Sequence, residues 1–184
     1  MSSAVMSNIR FSTFPRTSPP PVWASTLVDV FLQHESAIDT MKLAKGLTSD
    51  EVLSELRDDL VSIGFEVEAG KAKTDKILRP VFFGENAFPT LQYEIDAYHT
   101  DWECGLEVEA GRAWMGNAVY RDLIQACVMV QVKHLALAVP NTYKYNTSGR
   151  TTVSTDYKNT SEVAEALYGH TRLQMPYGLV LIGN

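Results

Sequence analysis

Apolar residues recur at helical spacing in four stretches of the chain. The first, 22–42, follows three consecutive prolines, which prevent an earlier helix from continuing into it. The second, 49–63, starts with the pattern of a capping box and stops at a glycine. Two more amphipathic stretches lie at 117–130 and 160–169. The pattern therefore predicts four helices.

Strands are predicted in five stretches that are apolar at alternate or at all positions: 65–68, 90–98, 104–110, 135–139 and 179–182. The fourth is apolar throughout, which is typical of a strand buried on both faces. The polar segment 140–158 is predicted to be a loop. From position 49 onward the order is helix, three strands, helix, strand, helix, strand. This order predicts an α/β (mixed α+β) fold with a mixed central β-sheet flanked by helices.

Four carboxylates fall on the polar faces of the two clearest strands, the second and third. Alternate side chains of a strand point to opposite faces of the sheet. In the second strand the apolar residues share one face and leave Glu94 and Asp96 on the other. In the third strand the same alternation leaves Glu107 and Glu109.

The link between these two strands is short enough for a hairpin. If both apolar faces pack on the same side, the parity of the register is fixed, because a one-residue slip would turn every side chain over. One allowed register centres the turn between Asp101 and Trp102. It places Asp96 opposite Glu107 and Glu94 opposite Glu109.

Like charges directly opposite each other destabilise a sheet, so these carboxylates need cations, raised pKa values or contact with solvent. The solvated outer face of an antiparallel hairpin meets that need without any further function. A divalent metal meets it too, because Mg²⁺ takes carboxylate oxygens as ligands and keeps waters for substrate phosphates. The spacing alone leaves both interpretations open.

The acidic strands also carry a motif. Asp96 is followed eleven positions later by Glu107-Val108-Glu109, on a predicted hairpin that comes after a capped helix. This arrangement resembles the PD-(D/E)xK nucleases. It is most similar to the restriction endonucleases of BglII and BamHI type, in which the usual lysine of the motif is replaced. Here Glu109 replaces it, and Ile95 stands where the motif has proline.

The resemblance implies a restriction-endonuclease-like core and a role for each acid. Asp96 and Glu107 would bind Mg²⁺ or Mn²⁺ with help from the Val108 carbonyl, and Glu109 would orient or deprotonate the attacking water. An acid of the preceding helix sometimes completes such a site, and the candidates here are Glu51 and Glu55.

Further residues near the motif have two interpretations each. Glu94 is expected to support the site from its acidic face. Arg112 could hold the scissile phosphate or simply pair with the acidic cluster. Arg121 and Asp122, at the start of a predicted helix, are interpreted as structural. His99 could bind phosphate, but closing the hairpin turn is the favoured role.

Two segments are candidates for contact with nucleic acid. The stretch 71–79 is the densest basic part of the chain, and 143–158 mixes aromatic, amide and cationic side chains. A solvated face and a plain flexible connection remain the alternatives for them. The residues expected to make these contacts are Lys71, Lys73, Lys76, Arg79, Tyr143, Lys144 and Arg150.

Composition limits the classes of function. At 184 residues and 45% hydrophobic, the chain is expected to form one domain, with 1–45 as an N-terminal arm and helix packed on a nuclease domain at 46–184. Two cysteines form neither a disulfide framework nor a structural zinc site by themselves. No apolar run approaches the ~18 residues of a membrane span, and the start lacks a signal-peptide core, so a cytoplasmic protein is expected.

The charge balance of 16 basic against 22 acidic residues, net −6, argues against a protein that coats nucleic acid non-specifically. It permits an enzyme with local contacts. The expected function is therefore a Mg²⁺-dependent endonuclease acting on double-stranded DNA. Cutting both strands at a symmetric site calls for a homodimer, with 22–42 as one possible surface. A cognate methyltransferase is a possible further partner.

Two other functions remain open. One is a catalytically inactive nucleic-acid-binding or regulatory protein on the same fold, since fold does not fix function. The other is a non-enzymatic interaction protein whose acidic hairpin is only a soluble surface.

Overall fold

The computed structural model describes residues 7–111, 113, 114 and 116–184, apart from the side chain of Thr147. Among these residues it contains five α-helices: α1 (Ala24–Gln33), α2 (Glu35–Ile38), α3 (Ser49–Ser62), α4 (Ala118–Val128) and α5 (Asp156–Gly169).

The same residues form ten strands. They are β1 (Arg10–Phe14), β2 (Phe65–Val67), β3 (Ile77–Phe83), β4 (Pro89–Ile95), β5 (Ala97–His99), β6 (Cys104–Val108), β7 (His134–Val139), β8 (Tyr143–Thr147), β9 (Arg150–Ser154) and β10 (Gly178–Gly183).

Six of these strands form a mixed central sheet in the order β1-β10-β7-β6-β5-β2. The two inner pairs, β10–β7 and β7–β6, run parallel, and the three outer pairs run antiparallel. Helices α1 and α3 pack against one face of the sheet, and α4 and α5 pack against the other. The predicted mixed α/β fold with a helix-flanked sheet is therefore confirmed.

The helix α3 shows how closely local sequence determines an element. Glu51 donates its backbone N–H to the Thr48 hydroxyl at 3.3 Å, and its carboxylate accepts the Thr48 backbone N–H at 2.7 Å. These reciprocal bonds are a capping box and satisfy groups that the helix start leaves unpaired. Leu56 and Leu60 are fully buried against the sheet. The predicted helix is confirmed.

The first predicted helix is shorter in the structure. Instead of one helix over 22–42, the chain forms α1, a turn at His34 and the four-residue α2. Leu27 and Phe31 of α1 are fully buried in the core. The apolar face of α1 therefore packs inside the molecule and is not available as a dimer surface.

The prediction of a loop at 140–158 is wrong. The segment is mostly a hairpin of β8 and β9, followed by the start of α5. Its two strands pair only with each other. Most of their side chains are exposed, so no apolar alternation marks them in the sequence.

Two hairpins leave the central sheet at the same end. Strands β2, β6 and β7 run in one direction and β5 runs in the other. The last residues of β2, β6 and β7 and the first residue of β5 therefore lie at the same end of the sheet. The β3–β4 hairpin is inserted between β2 and β5, and the β8–β9 hairpin follows β7. Two projecting hairpins therefore border this end of the sheet.

Within the described part of the chain, no helix combines the length and the apolar character that crossing a bilayer would require.

His34 joins α1 to α3 through two carboxylates. Its Nδ1 lies 3.1 Å from Glu55 Oε1 and its Nε2 lies 2.7 Å from Asp59 Oδ2. The hydrogen bond to Asp59, with a smaller contribution from Glu55, raises the pKa of His34 above its ordinary value, although burial opposes the shift.

We predict a pH-dependent contribution of His34 to stability. Because the pKa is raised in the folded state, the contribution is complete below the unfolded value of about 6.5 and is lost as the pH rises through the folded value. Urea unfolding should show that wild type loses up to about 1 kcal/mol more than His34→Ala between pH 6 and pH 8. The exposed His170 offers a control, His170→Ala, which should retain the wild-type pH dependence. Identical pH slopes in wild type and His34→Ala would contradict the prediction.

Candidate active site

The register of the acidic hairpin agrees with the prediction. Ala97 pairs with Leu106, and the pairing continues to a turn centred between Asp101 and Trp102. One position beyond the last pair, the same register brings Asp96 opposite Glu107. Asp96 is held there because its Oδ2 accepts the backbone N–H of Val108 at 2.8 Å.

The predicted strand 90–98 is divided at Asp96. The carbonyl of Asp96 accepts the N–H of Glu68 at 2.9 Å, while its carboxylate bonds across to Val108. Residues before this point belong to β4 and pair with β3 in a separate two-stranded sheet. The prediction that Glu94 lies opposite Glu109 is therefore wrong, because Glu94 pairs with Leu78 of β3. The Glu94 side chain is 61% exposed and stands 4.0 Å from the Lys76 ammonium.

A cavity of about 420 Å³ opens beside this division. Both β4 and α4 contribute to its wall. Its acidic lining residues are Glu68, Glu94, Asp96, Glu107 and Asp122, and its basic ones are Lys76 and Arg121. Two of the predicted catalytic acids, Asp96 and Glu107, thus share one cavity. Glu109 does not line the cavity but is joined to the same cluster through Arg121.

Asp122 and Arg121 belong to this cluster, whereas the sequence analysis assigned them a structural role. The Arg121 guanidinium donates to Asp122 Oδ1 at 2.9 Å and to Glu109 Oε1 at 2.8 Å. Asp122 is 2% exposed, and its Oδ2 is buried without a hydrogen-bond partner in the described residues. The sequence contains one signal of this arrangement. Asp122 lies three residues after Val119 and next to Leu123, on the apolar and therefore inward face of the helix.

Burial raises the pKa of the two acids that face each other. Burial, helped by the negative charges of Glu68 and Asp122, raises the pKa of Asp96 to about 6, although the Val108 N–H opposes the shift. Glu107 is 7% exposed, and burial next to Asp96 and Asp122 raises its pKa well above the usual value. Both groups are held in surroundings that disfavour their charged forms.

The second acid pair behaves in the same way. Burial and the charge of Asp122 raise the pKa of Glu109 to about 7, with Arg121 opposing. Burial also raises the pKa of Asp122, again against the effect of Arg121. The two cations of the site therefore compensate only part of its negative charge.

The residues of this site fit a hard divalent cation in chemistry but are not arranged as a finished cage. Carboxylate oxygens are the preferred ligands of Mg²⁺, and the unpartnered oxygen of Asp122 marks a buried acceptor at the cavity. Among the described residues, no group of three or more His, Cys, Asp or Glu side chains stands in metal-holding geometry. Binding would therefore require side-chain movement or water ligands.

The two candidate helix acids point elsewhere. Glu51 completes the capping box of α3, and Glu55 contacts His34 on the side of the sheet away from α4. Neither lines the cavity. Arg112, predicted to support the site, lies outside the described residues.

His99 closes the hairpin turn, the role favoured from the sequence. It is 6% exposed; its Nε2 donates to the carbonyl of Ile63 at 3.0 Å, and its Nδ1 accepts the N–H of Trp102 at 3.2 Å.

The basic residues of 71–79 occupy different surroundings. Lys71 pairs with Asp50 on the surface at 3.1 Å, and Lys73 is exposed. Arg79 is engaged inside the protein, since its guanidinium lies 3.1 Å from Glu66 and stacks over the ring of Tyr98 at 3.7 Å. Lys76 enters the cavity.

The other predicted contact residues lie on the β8–β9 hairpin. Tyr143 and Tyr145 stack with ring centroids 5.8 Å apart. The Lys144 ammonium donates to the carbonyl of Leu43 at 3.1 Å, and Arg150 is exposed next to the turn. These residues lie at the same end of the sheet as the cavity but do not line the cavity.

We predict that the acids of this site make a contribution to the stability of the metal-free protein that falls as the pH rises from about 4 to above 7. Raised pKa values mean that the folded state binds more protons than the unfolded state in this interval, so stability falls until the acids have ionised. Glu107→Gln should flatten this dependence and raise the free energy of unfolding at pH 8 by about 1 kcal/mol or more, because it removes an uncompensated buried charge. Chemical denaturation in the presence of a chelator measures both effects.

The exposed Glu162 provides the matched control. Glu162→Gln should change the free energy of unfolding by less than about 0.5 kcal/mol at either pH. A Glu107→Gln protein that is less stable than wild type at pH 8 would contradict the proposed electrostatic strain.

Comparison with solved structures finds a similar fold. The structure of restriction endonuclease BglII complexed with a DNA 16-mer matches with a TM-score of 0.51 and 12% sequence identity, covering 95% of this chain and 75% of that one. At this identity the similarity concerns the fold. No protein-family model and no curated protein sequence matches the chain.

Proposed function

We propose that the protein is a Mg²⁺-dependent endonuclease, with Mn²⁺ as an alternative cation, that hydrolyses phosphodiester bonds in double-stranded DNA. The observation that carries the proposal is the meeting of Asp96 and Glu107 in one cavity at the division between β4 and β5. A fold similar to that of a restriction endonuclease supports it.

In this proposal Asp96 and Glu107 would hold the cation, together with the Val108 carbonyl, and Asp122 offers a further carboxylate. When bound, such a cation lowers the pKa of coordinated water and neutralises charge that develops on a phosphoryl group. The raised pKa values of Asp96 and Glu107 support this proposal, because a bound cation would stabilise the charged forms that burial disfavours.

Glu109 would act on the attacking water. It follows Glu107 by two positions, and Arg121 fixes its Oε1. Its other carboxylate oxygen would orient the water and accept its proton while the water oxygen forms a bond to phosphorus and the deoxyribose oxygen leaves. This assignment requires Glu109 to be ionised when the substrate is bound.

A duplex bound at the cavity would meet the β3–β4 and β8–β9 hairpins, because both leave the central sheet at that end. Lys73, Tyr143 and Arg150 would then contact the DNA backbone. A homodimer remains part of the proposal, since one such centre cuts one strand at a time.

A second candidate function is an inactive nucleic-acid-binding protein on the same fold. The specific observation in its favour is that Arg121 is hydrogen-bonded to both Glu109 and Asp122, while the described acids do not form a ready metal cage. Metal binding and DNA cleavage must therefore be tested separately.

We predict that the protein binds Mn²⁺ and nicks or linearises supercoiled plasmid in Mg²⁺ or Mn²⁺. Asp96→Asn should abolish calorimetric Mn²⁺ binding and lower the cleavage rate at least about 100-fold, because one carboxylate ligand is lost. Excess chelator should stop the wild-type reaction.

Asp29 lies exposed on α1, on the other side of the sheet, so Asp29→Asn is the matched control and should behave as wild type. Mn²⁺ binding that is unchanged in Asp96→Asn would refute the metal site. Binding without cleavage of DNA would refute the enzyme and support the inactive alternative.

A further inference from the structure

Lys76 has surroundings that the other cations of 71–79 lack. Its ammonium lies 2.7 Å from Glu68 Oε2 and 4.0 Å from Glu94, and its side chain is 19% exposed. Glu68 itself is 8% exposed and lies at the end of β2, beside the division at Asp96. Lys76 is therefore held inside the cavity rather than in free solvent.

A phosphate group cannot approach a cavity of five carboxylates without a cation to receive it. Of the two resident cations, Arg121 already contacts two carboxylates, at 2.8 Å and 2.9 Å. Lys76 makes its short contact with one carboxylate only. Its ammonium has three donors, so two remain beyond the bond to Glu68 among the described residues.

The position of Lys76 is fixed from both sides. It follows the short 3-10 turn Lys73–Asp75 and directly precedes β3, which pairs with β4, a strand that lines the cavity. The ion pair with Glu68 connects that wall to the end of β2. The ammonium of Lys76 is therefore already ordered in the free protein. An exposed lysine would lose side-chain conformational entropy when it becomes ordered on a ligand.

We propose that Lys76 is the residue that receives the phosphate of the bond to be cleaved, donating to a non-bridging oxygen while Glu68 holds the ammonium in place. This inference rests on the proposed function, because it places the phosphodiester of a DNA duplex in this cavity. Lys76 would be a catalytic residue, and Glu68 would be a positioning residue.

The test combines DNA binding with cleavage. Binding of a 30-base-pair duplex is measured by fluorescence anisotropy in Ca²⁺ at several salt concentrations, and plasmid cleavage is measured in Mg²⁺ and Mn²⁺. Lys76→Met should lower the cleavage rate about 100-fold and reduce the slope of log affinity against log salt by about one, the effect of one lost phosphate contact. Lys76→Arg should recover part of the rate.

Two further variants separate the phosphate contact from fold stability. Glu68→Gln/Lys76→Met removes the ion pair without leaving a buried charge, and it should show the same loss of slope as Lys76→Met. Glu68→Gln alone keeps the cation and should keep the wild-type slope. Lys133, exposed directly before β7 at the opposite end of the sheet, supplies the control Lys133→Met, which should match wild type in both measurements.

The two proposals fail in different ways. A wild type that binds duplex but cuts under neither cation refutes the endonuclease, while the salt slope of Lys76→Met still decides the phosphate contact. An unchanged slope and rate in Lys76→Met refutes the role of Lys76 and leaves the endonuclease intact. A wild type that binds no duplex refutes both.

Discussion

Burial of Glu107 between Asp96 and Asp122 is the constraint on which the arrangement of this site depends. Glu107 and Asp122 are buried and Asp96 is half-buried beside them, and like charges in such surroundings repel each other strongly. The structure answers by bringing two cations from distant parts of the chain, Arg121 on α4 and Lys76 before β3. They offset only part of the charge, so negative charge remains in excess at the site whenever the acids are ionised.

The division of the chain at Asp96 links this electrostatic problem to the shape of the molecule. The chain does not run straight from β4 into β5. Instead Asp96 bonds to both Glu68 and Val108, β4 turns away to pair with β3, and the resulting hairpin walls the cavity. The same bend brings Lys76 to the acids. One aspartate thus sets the position of a potential ligand, a cavity wall and a counter-charge.

The comparison with the sequence shows which signals are local. Helix α3 and the register of the Asp96–Glu107 hairpin follow from the capping box and from apolar alternation, which are properties of neighbouring residues. The bend at Asp96 does not, because it depends on hydrogen bonds to residues twelve or more positions away, and alternation runs through it undisturbed. The β8–β9 hairpin gives no signal because its faces are mostly exposed. Asp122, near a helix start, is interpreted as structural because the acids that share its cavity, Asp96 and Glu107, are distant in sequence.

The net charge of −6 therefore has a different meaning once the acids are located. Several of them lie in one cavity, where a divalent cation and a phosphate have opposite effects on the local field. A cation bound there would lower the repulsion that the phosphate meets, and the phosphate would in turn strengthen the hold on the cation. Coupling between two ligands is reciprocal, so each must raise the affinity for the other by the same factor. An acidic protein of this construction can be a poor DNA binder in the absence of metal and a competent one in its presence, with no need for a basic surface.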